Sequence, residues 1–162
     1  MTTWRATGVD EPAAQALLAE YFASRAETFP ASMGEYRPVW PTAPQFEPPN
    51  GVFLIVEEDG MDVGCGGVRQ LAVLGDAGTR FEVKHLWVQP QARGTGLGRR
   101  LLEELEGRAR ALGATQLVLD TNASQAAAAA LYRSAGYVEV PAYNDNANAT
   151  HWFSKNLEQA PG

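Results

Sequence analysis

Gln91-Ala92-Arg93-Gly94-Thr95-Gly96-Leu97-Gly98 stands between an apolar, β-branched run, Thr79 to Val88, and the clearest helical pattern in the chain. Leu97, Leu101, Leu102, Leu105 and Leu112 recur at helical spacing, which predicts a helix over Thr95–Leu112 with Gly113 as its stop. The three glycines therefore sit at a strand-to-helix junction. Residues without Cβ let backbone N–H groups close on an anion, and the helix start adds free donors and a positive dipole end. Arg93, Arg99 and Arg100 add mobile positive charge. The stretch reads as a pyrophosphate site, with a tight structural turn as the alternative.

The spacing narrows this further. The glycines run G-x-G-x-G, whereas the dinucleotide fingerprint runs G-x-G-x-x-G, and a P-loop would end in Gly-Lys-Ser/Thr. Outward from the loop, Trp4–Val9 reads as a first strand. A helix follows, with Asp10 as its cap and Pro12 near its start, running to about Arg25 on Leu17, Leu18, Tyr21 and Phe22. Prolines at 30, 38, 41, 44, 48 and 49 keep Phe29–Asn50 irregular. Val52–Val56 and Met61–Val73 form a hairpin around Glu57–Gly60. Gln116–Asp120, Tyr137–Val140 and Thr150–Asn156 read as strands, and Ser124–Ala135 as a helix closed by Gly136. The pattern is one mixed α/β domain over residues 1–162, with its helices as crossovers.

Composition excludes several functions. The 162 residues carry a net charge of −6 and no basic arm, which weighs against nucleic acid as a partner. No apolar run approaches the roughly 20 residues that cross a bilayer, and the N-terminus lacks a signal-peptide pattern, so the cytoplasm is the expected compartment. The single cysteine, Cys65, lies among glycines in an apolar strand and reads as core. His151 has no second histidine at ligand spacing, and no metal is expected.

Gln91-x-x-Gly94-x-Gly96 resembles the Q/R-x-x-G-x-G/A signature of the GNAT acetyltransferases, and Ala128-x-x-Leu131-Tyr132-x-x-x-Gly136-Tyr137 is similar to a second segment of that superfamily. Together the two cover roughly residues 81–140, in the family's order and on its element types. The resemblance implies a mostly antiparallel twisted sheet, flanked by helices and split between its two central strands. It implies acetyl-CoA as co-substrate. Arg93, Gly94, Thr95, Gly96, Leu97, Gly98 and Arg99, with Gln91, would hold the pyrophosphate. Leu86, Trp87 and Val88 would pair with the pantetheine arm, and the Val88 amide would polarise the thioester carbonyl. Many members have asparagine three residues before the alanine at 128. This chain has Gln125 there, and Asn122 is taken as the pantetheine contact, with Ser124 nearby. A homodimer would suit the family.

Acetyl transfer needs a neutral amine, hence a base, and a donor for the departing thiolate. The resemblance makes Glu82 the base and Tyr132 the acid. By strand alternation Glu82 shares a face with Lys84, Leu86 and Val88, while His85, the alternative base, points the other way. Alternatives to a transferase are an acyl-CoA sensor without turnover, or a nucleotide-binding α/β domain. A small amine or amino acid would enter between the proline-rich segment 27–50 and the last hairpin. The candidates for its wall are Phe29, Tyr36, Arg37 and Trp40, with Tyr143, Asn144, Asp145 and Asn146. The stretch Pro141–Asn146 reads equally as a turn or as a substrate loop. Arg25 and Arg37 suit a carboxylate; Glu35 and Asp145 suit a polyamine or aminoglycoside.

Overall fold

In the computed structural model, which describes residues 1–157, seven strands form one sheet in the order β1-β2-β3-β4-β5-β7-β6. They are β1 (Thr2–Ala6), β2 (Gly51–Glu58), β3 (Met61–Val73), β4 (Thr79–Val88), β5 (Gln116–Thr121), β6 (Val138–Val140) and β7 (His151–Asn156). The helices are α1 (Pro12–Thr28), α2 (Leu97–Ala111) and α3 (Ala126–Ser134). Every strand pair is antiparallel except β4 with β5, which the α2 crossover joins in parallel.

The sheet is buried on both faces, which is why β2 is apolar without alternation. Val52, Leu54 and Val56 join a cluster with Leu101, Leu102 and Leu105 of α2 and Tyr132 of α3. Phe53 and Ile55 face the other way, onto Leu17, Leu18 and Phe22 of α1. Burial of such side chains contributes about 1.5–3 kcal/mol each, so the leucine stripe of α2 holds that helix to the sheet.

Several boundaries differ from expectation. β1 ends at Ala6 because Gly8 O accepts the Glu11 amide in a turn that leads into α1. Glu11, not Asp10, occupies the cap position, and no side chain caps it. α2 begins at Leu97 rather than Thr95, since Gly94 and Gly96 adopt φ of 86° and 80°. Between Phe29 and Asn50 only two short turns of 3-10 helix form, at Ala31–Met33 and Ala43–Phe46.

Two departures shape the site. β4 pairs with β5 only from Arg80 to Glu82, so from Val83 onward the central strands part. The expected split is present. β4 also carries a bulge: Lys84 pairs with Gly67 and Trp87 with Cys65, and His85 takes φ of 60°. The extra residue reverses the alternation. Glu82, Lys84, His85 and Trp87 lie on the α1 face, while Leu86 and Val88 pack toward α2. The expectation that Leu86 and Val88 share Glu82's face, with His85 opposite, is thereby overturned.

Candidate active site

The glycine loop opens onto a groove. A Cβ placed at Gly94 or Gly96 would meet nothing within 4 Å, so the loop's backbone faces free space. No side chain caps α2, so its first-turn N–H groups are unclaimed by any cap. The groove, about 590 Å³, is bounded by Arg93, Gly94, Gly96 to Arg99, the β4 end Leu86 to Val88, and Ser124 to Ala128. Donors, dipole and guanidinium groups converge there, which suits a pyrophosphate.

The end of β4 contributes backbone. Gln89 N donates to Val63 O, making Val63–Gln89 a hydrogen-bonded pair. In the adjacent Gly64–Val88 pair the backbone groups must then point outward from the ladder. Val88 N–H is thus turned to the unpaired side of β4. Val88 O, on the same side, accepts Arg93 Nε at 2.8 Å, and the Arg93 guanidinium lies 5.0 Å from the Trp87 ring centroid.

A narrow slot runs through the split between β4 and β5. Leu86, Trp87, Ser24, Gln125 and Ala128 line both slot and groove. Tyr132 lines the slot; burial pushes its phenol above the usual tyrosine range, so it stays protonated. Beyond the slot lies a cavity of about 280 Å³ under the proline-rich segment. Tyr21, Arg25, Lys84, His85 and Asp120 line both slot and cavity. Groove and slot, and slot and cavity, therefore adjoin across shared walls at the split.

Glu82 sits beside these spaces rather than on their walls. It is 1% exposed, and Oε1 accepts Arg69 Nε at 3.0 Å and Nη2 at 2.8 Å. Oε2 accepts the Tyr143 hydroxyl at 2.6 Å. Burial and the neighbouring Glu82 carboxylate hold the Tyr143 phenol in its protonated form. His85 packs edge-on to Tyr21 and Phe22, its Nδ1 is buried without a hydrogen-bond partner, and burial lowers its pKa to about 3. It is a neutral imidazole on the wall of slot and cavity.

The Acetyltransferase (GNAT) family model matches residues 14–137. The chain belongs to that family. Among proteins of this kind, it is 44% identical to an IAA acetyltransferase of Azospirillum brasilense over 87 residues, 54% of each chain, so the match spans about half of that relative. A crystal structure of a putative acyl-CoA N-acyltransferase from Klebsiella pneumoniae superposes with a TM-score of 0.77 at 28% identity, covering 98% of this chain and 99% of that one. A GNAT acetyltransferase from Elizabethkingia anophelis, known with acetyl-CoA bound, shares the fold at a TM-score of 0.63 and 15% identity, over 96% and 98% of the two chains.

The GNAT fold distributes the residues expected from sequence unevenly. Arg93, Gly94, Gly96, Leu97, Gly98 and Arg99 line the groove with Leu86, Trp87 and Val88. Leu97 offers only its backbone, since its side chain is core. Arg99 is hydrogen-bonded to Ser134 across the groove. Gln91 bonds Gln89, and Thr95 bonds Ala92 O, both off the groove wall. Asn122 is fully buried: its Nδ2 donates to Asn148 O, and its Oδ1 accepts the Ser124 amide. Ser124 and Gln125 reach the groove in its place.

Tyr36, Trp40 and Asn144 line the cavity under the proline-rich segment. Phe29 instead stacks on Tyr36, Arg37 is tied by its backbone to the Asn148 side chain, and Tyr143 meets Glu82. Asp120, Lys84, Arg69 and Asn148 also line the cavity and were not foreseen as site residues, whereas Asn146, expected in the wall, lines it too. Asp120 was foreseeable as the polar end of an apolar strand at the split. The bulge that swings His85 inward has no local signature.

Among the described residues, no group of three or more His, Cys, Asp or Glu could hold a metal ion, and no helix is long and apolar enough to cross a membrane. Cys65 is fully buried, its Sγ 3.5 Å from His85 O, and burial pushes its thiol well above the usual range. It packs as core, as its apolar setting implied.

Proposed function

We propose that this chain transfers the acetyl group of acetyl-CoA to the primary amine of a small molecule or amino acid, by direct attack with both substrates bound. The observation that carries this reading is the adjacency of three spaces at the split: the groove of the glycine loop, the slot at Tyr132, and a polar and aromatic cavity. A donor on one side of the sheet and an acceptor on the other could meet only at the split. That geometry suits two substrates reacting together and gives no role to an acyl-enzyme.

Acetyl-CoA supplies an activated acyl group, and the chain supplies placement, charge and proton transfer. The groove residues hold the pyrophosphate, and the outward Val88 N–H donates to the carbonyl oxygen. Glu82 takes the amine proton through a relay, because both of its oxygens are engaged; the Tyr143 bond is the first link of that relay. The amine nitrogen forms its bond to the acyl carbon as the carbon–sulfur bond breaks. Tyr132, kept protonated by burial, gives its proton to the leaving sulfur.

The test is thiol release from acetyl-CoA in the presence of amino acids, polyamines, aminoglycosides and short peptides, with Tyr132→Phe alongside. Turnover on one class, reduced in the variant, supports the reading. Tight acetyl-CoA binding with no turnover on any amine would favour a sensor. Failure to bind CoA, with NAD or ATP bound instead, would remove the acyl-CoA reading altogether.

A further inference from the structure

We infer that the acceptor is an α-amino acid with an apolar or aromatic side chain, its carboxylate taken by Lys84 and Arg25 and its amine by Asp120. This names the substrate of the transferase proposed above and rests on that reading.

The acceptor nitrogen must sit at the boundary of slot and cavity. Three charged side chains line both spaces: Arg25, Lys84 and Asp120. Arg69 also faces the cavity, but Glu82 neutralises it. Lys84 is half-buried, and its ammonium makes no hydrogen bond or ion pair with any described residue. Arg25 donates to the Tyr21 hydroxyl at 3.1 Å, its guanidinium carbon lies 5.8 Å from the Tyr21 and Tyr36 centroids, and it is ion-paired with no carboxylate among the described residues. Asp120 accepts Asn144 at 2.8 Å and Asn146 at 3.2 Å, both uncharged donors.

Two unmatched cations and one unmatched anion therefore meet at one place. Charge partly withdrawn from water and lacking a counter-charge gains from a ligand that supplies one. The complement is a zwitterion whose ammonium and carboxylate lie close together, as they do in an α-amino acid. A polyamine would bring its second ammonium beside Arg25 and Lys84, where it is repelled. A simple monoamine would leave Lys84 and Arg25 facing apolar matter.

The rest of the cavity fits the side chain. Phe22 and Trp40 pack at a tilt of 48° with centroids 4.8 Å apart, and Phe46 and His85 continue the wall at 5.9 Å from each other. Uncharged burial of His85 removes any cation from that part of the wall. At about 280 Å³ the cavity falls near the small end of ligand sites, which span about 300–1,000 Å³.

The experiment compares matched acceptors on the full chain at saturating acetyl-CoA, reading thiol release. The set pairs L-phenylalanine, L-leucine and L-methionine with their amides and decarboxylated amines, and adds spermidine. The expected result is a kcat/KM for at least one free acid about 10- to 100-fold above its amide, the range of a charge-assisted contact. Lys84→Met should shrink that acid-to-amide ratio about tenfold or more. Amides, decarboxylated amines or spermidine reacting as well as the acids would overturn the inference, as would an unchanged ratio in Lys84→Met.

Should no amine turn over, the transferase reading fails, and calorimetry still decides the site. With CoA present, binding of a free acid by the wild-type chain but not by Lys84→Met supports the carboxylate contact. Equal binding by both, or none, removes it.

Discussion

Tyr143 donates its hydroxyl to Glu82 across 2.6 Å, while Arg69 holds the other carboxylate oxygen. The three residues come from β4, β3 and the 141–150 connection, so the loop before β7 is tied to the strand that ends at the donor groove. If Glu82 receives the amine proton, Glu82→Gln should lower kcat by about 10²–10⁴-fold, the usual contribution of a positioned base. Tyr143→Phe, which breaks the same relay at its first link, should lower kcat by a similar order. Arg69 is 27% exposed, so the stability lost in Glu82→Gln should be about 1–3 kcal/mol, below that of a fully buried pair. Steady-state rates with urea melts on both variants check this. A kcat unchanged in Glu82→Gln would assign the proton to another group.

Tyr132 gives a prediction with a pH signature. Its buried phenol titrates above the normal value near 10, so it remains a proton donor throughout the neutral and mildly alkaline range. Tyr132→Phe should reduce kcat by about 10²-fold or more while leaving acetyl-CoA affinity nearly unchanged. In the wild-type chain, kcat should show no alkaline decline below pH 10 from this group. A rate that falls between pH 8 and 9, and ceases to do so in Tyr132→Phe, would contradict the assignment.

His85 predicts how stability depends on pH. In the unfolded chain its imidazole takes up a proton as pH falls through about 6.5. In the folded chain it stays neutral down to about 3. Over that window the unfolded state binds more protons, so the stabilisation is complete above about 6.5 and declines as pH drops toward 3. His85→Asn suits the test, since asparagine tolerates a φ of 60° and does not titrate. Denaturant unfolding at pH 7, 6, 5 and 4 should show a shallower decline in the variant than in the wild type. Parallel declines would mean that other groups govern the acid limb.

These residues also mark how far the sequence could be read. The glycine loop, the α2 leucine stripe and the strand bounds of β3 and β4 were legible because each rests on local spacing: Gly94 and Gly96 at a junction, Leu97 to Leu105 on one helix face. The side on which β4 residues fall was not. One extra residue at His85 inverts the alternation, and it is favoured by packing against Tyr21, Phe22 and Phe46, which are far away in the chain. Asn122 misled for a related reason. A buried asparagine near a ligand groove looks alike from sequence whether it faces the ligand or, as here, holds the Asn148 carbonyl. Likewise Lys84 and Arg25 come together only through the crossing of α1 over β4, which no local pattern encodes.

The glycine loop permits a paired test of conformation against contact. Gly96 has φ of 80° and open space where a Cβ would stand, so Gly96→Ala introduces strain without a clash. Left-handed backbone costs a non-glycine residue about 1–2 kcal/mol, and stability should fall by that order. The added methyl and the altered backbone also act on the groove wall, so acetyl-CoA affinity should fall about tenfold or more. Gly107 supplies the contrast. It lies inside α2 without positive φ, and a Cβ there also meets nothing within 4 Å. Gly107→Ala should therefore stabilise by about 0.5–1 kcal/mol through helix propensity and leave acetyl-CoA affinity unaltered. Thermal melts and calorimetric titration of both variants separate the two effects. Equal affinities for Gly96→Ala and the wild type would show that the loop's backbone at Gly96 does not approach the bound donor.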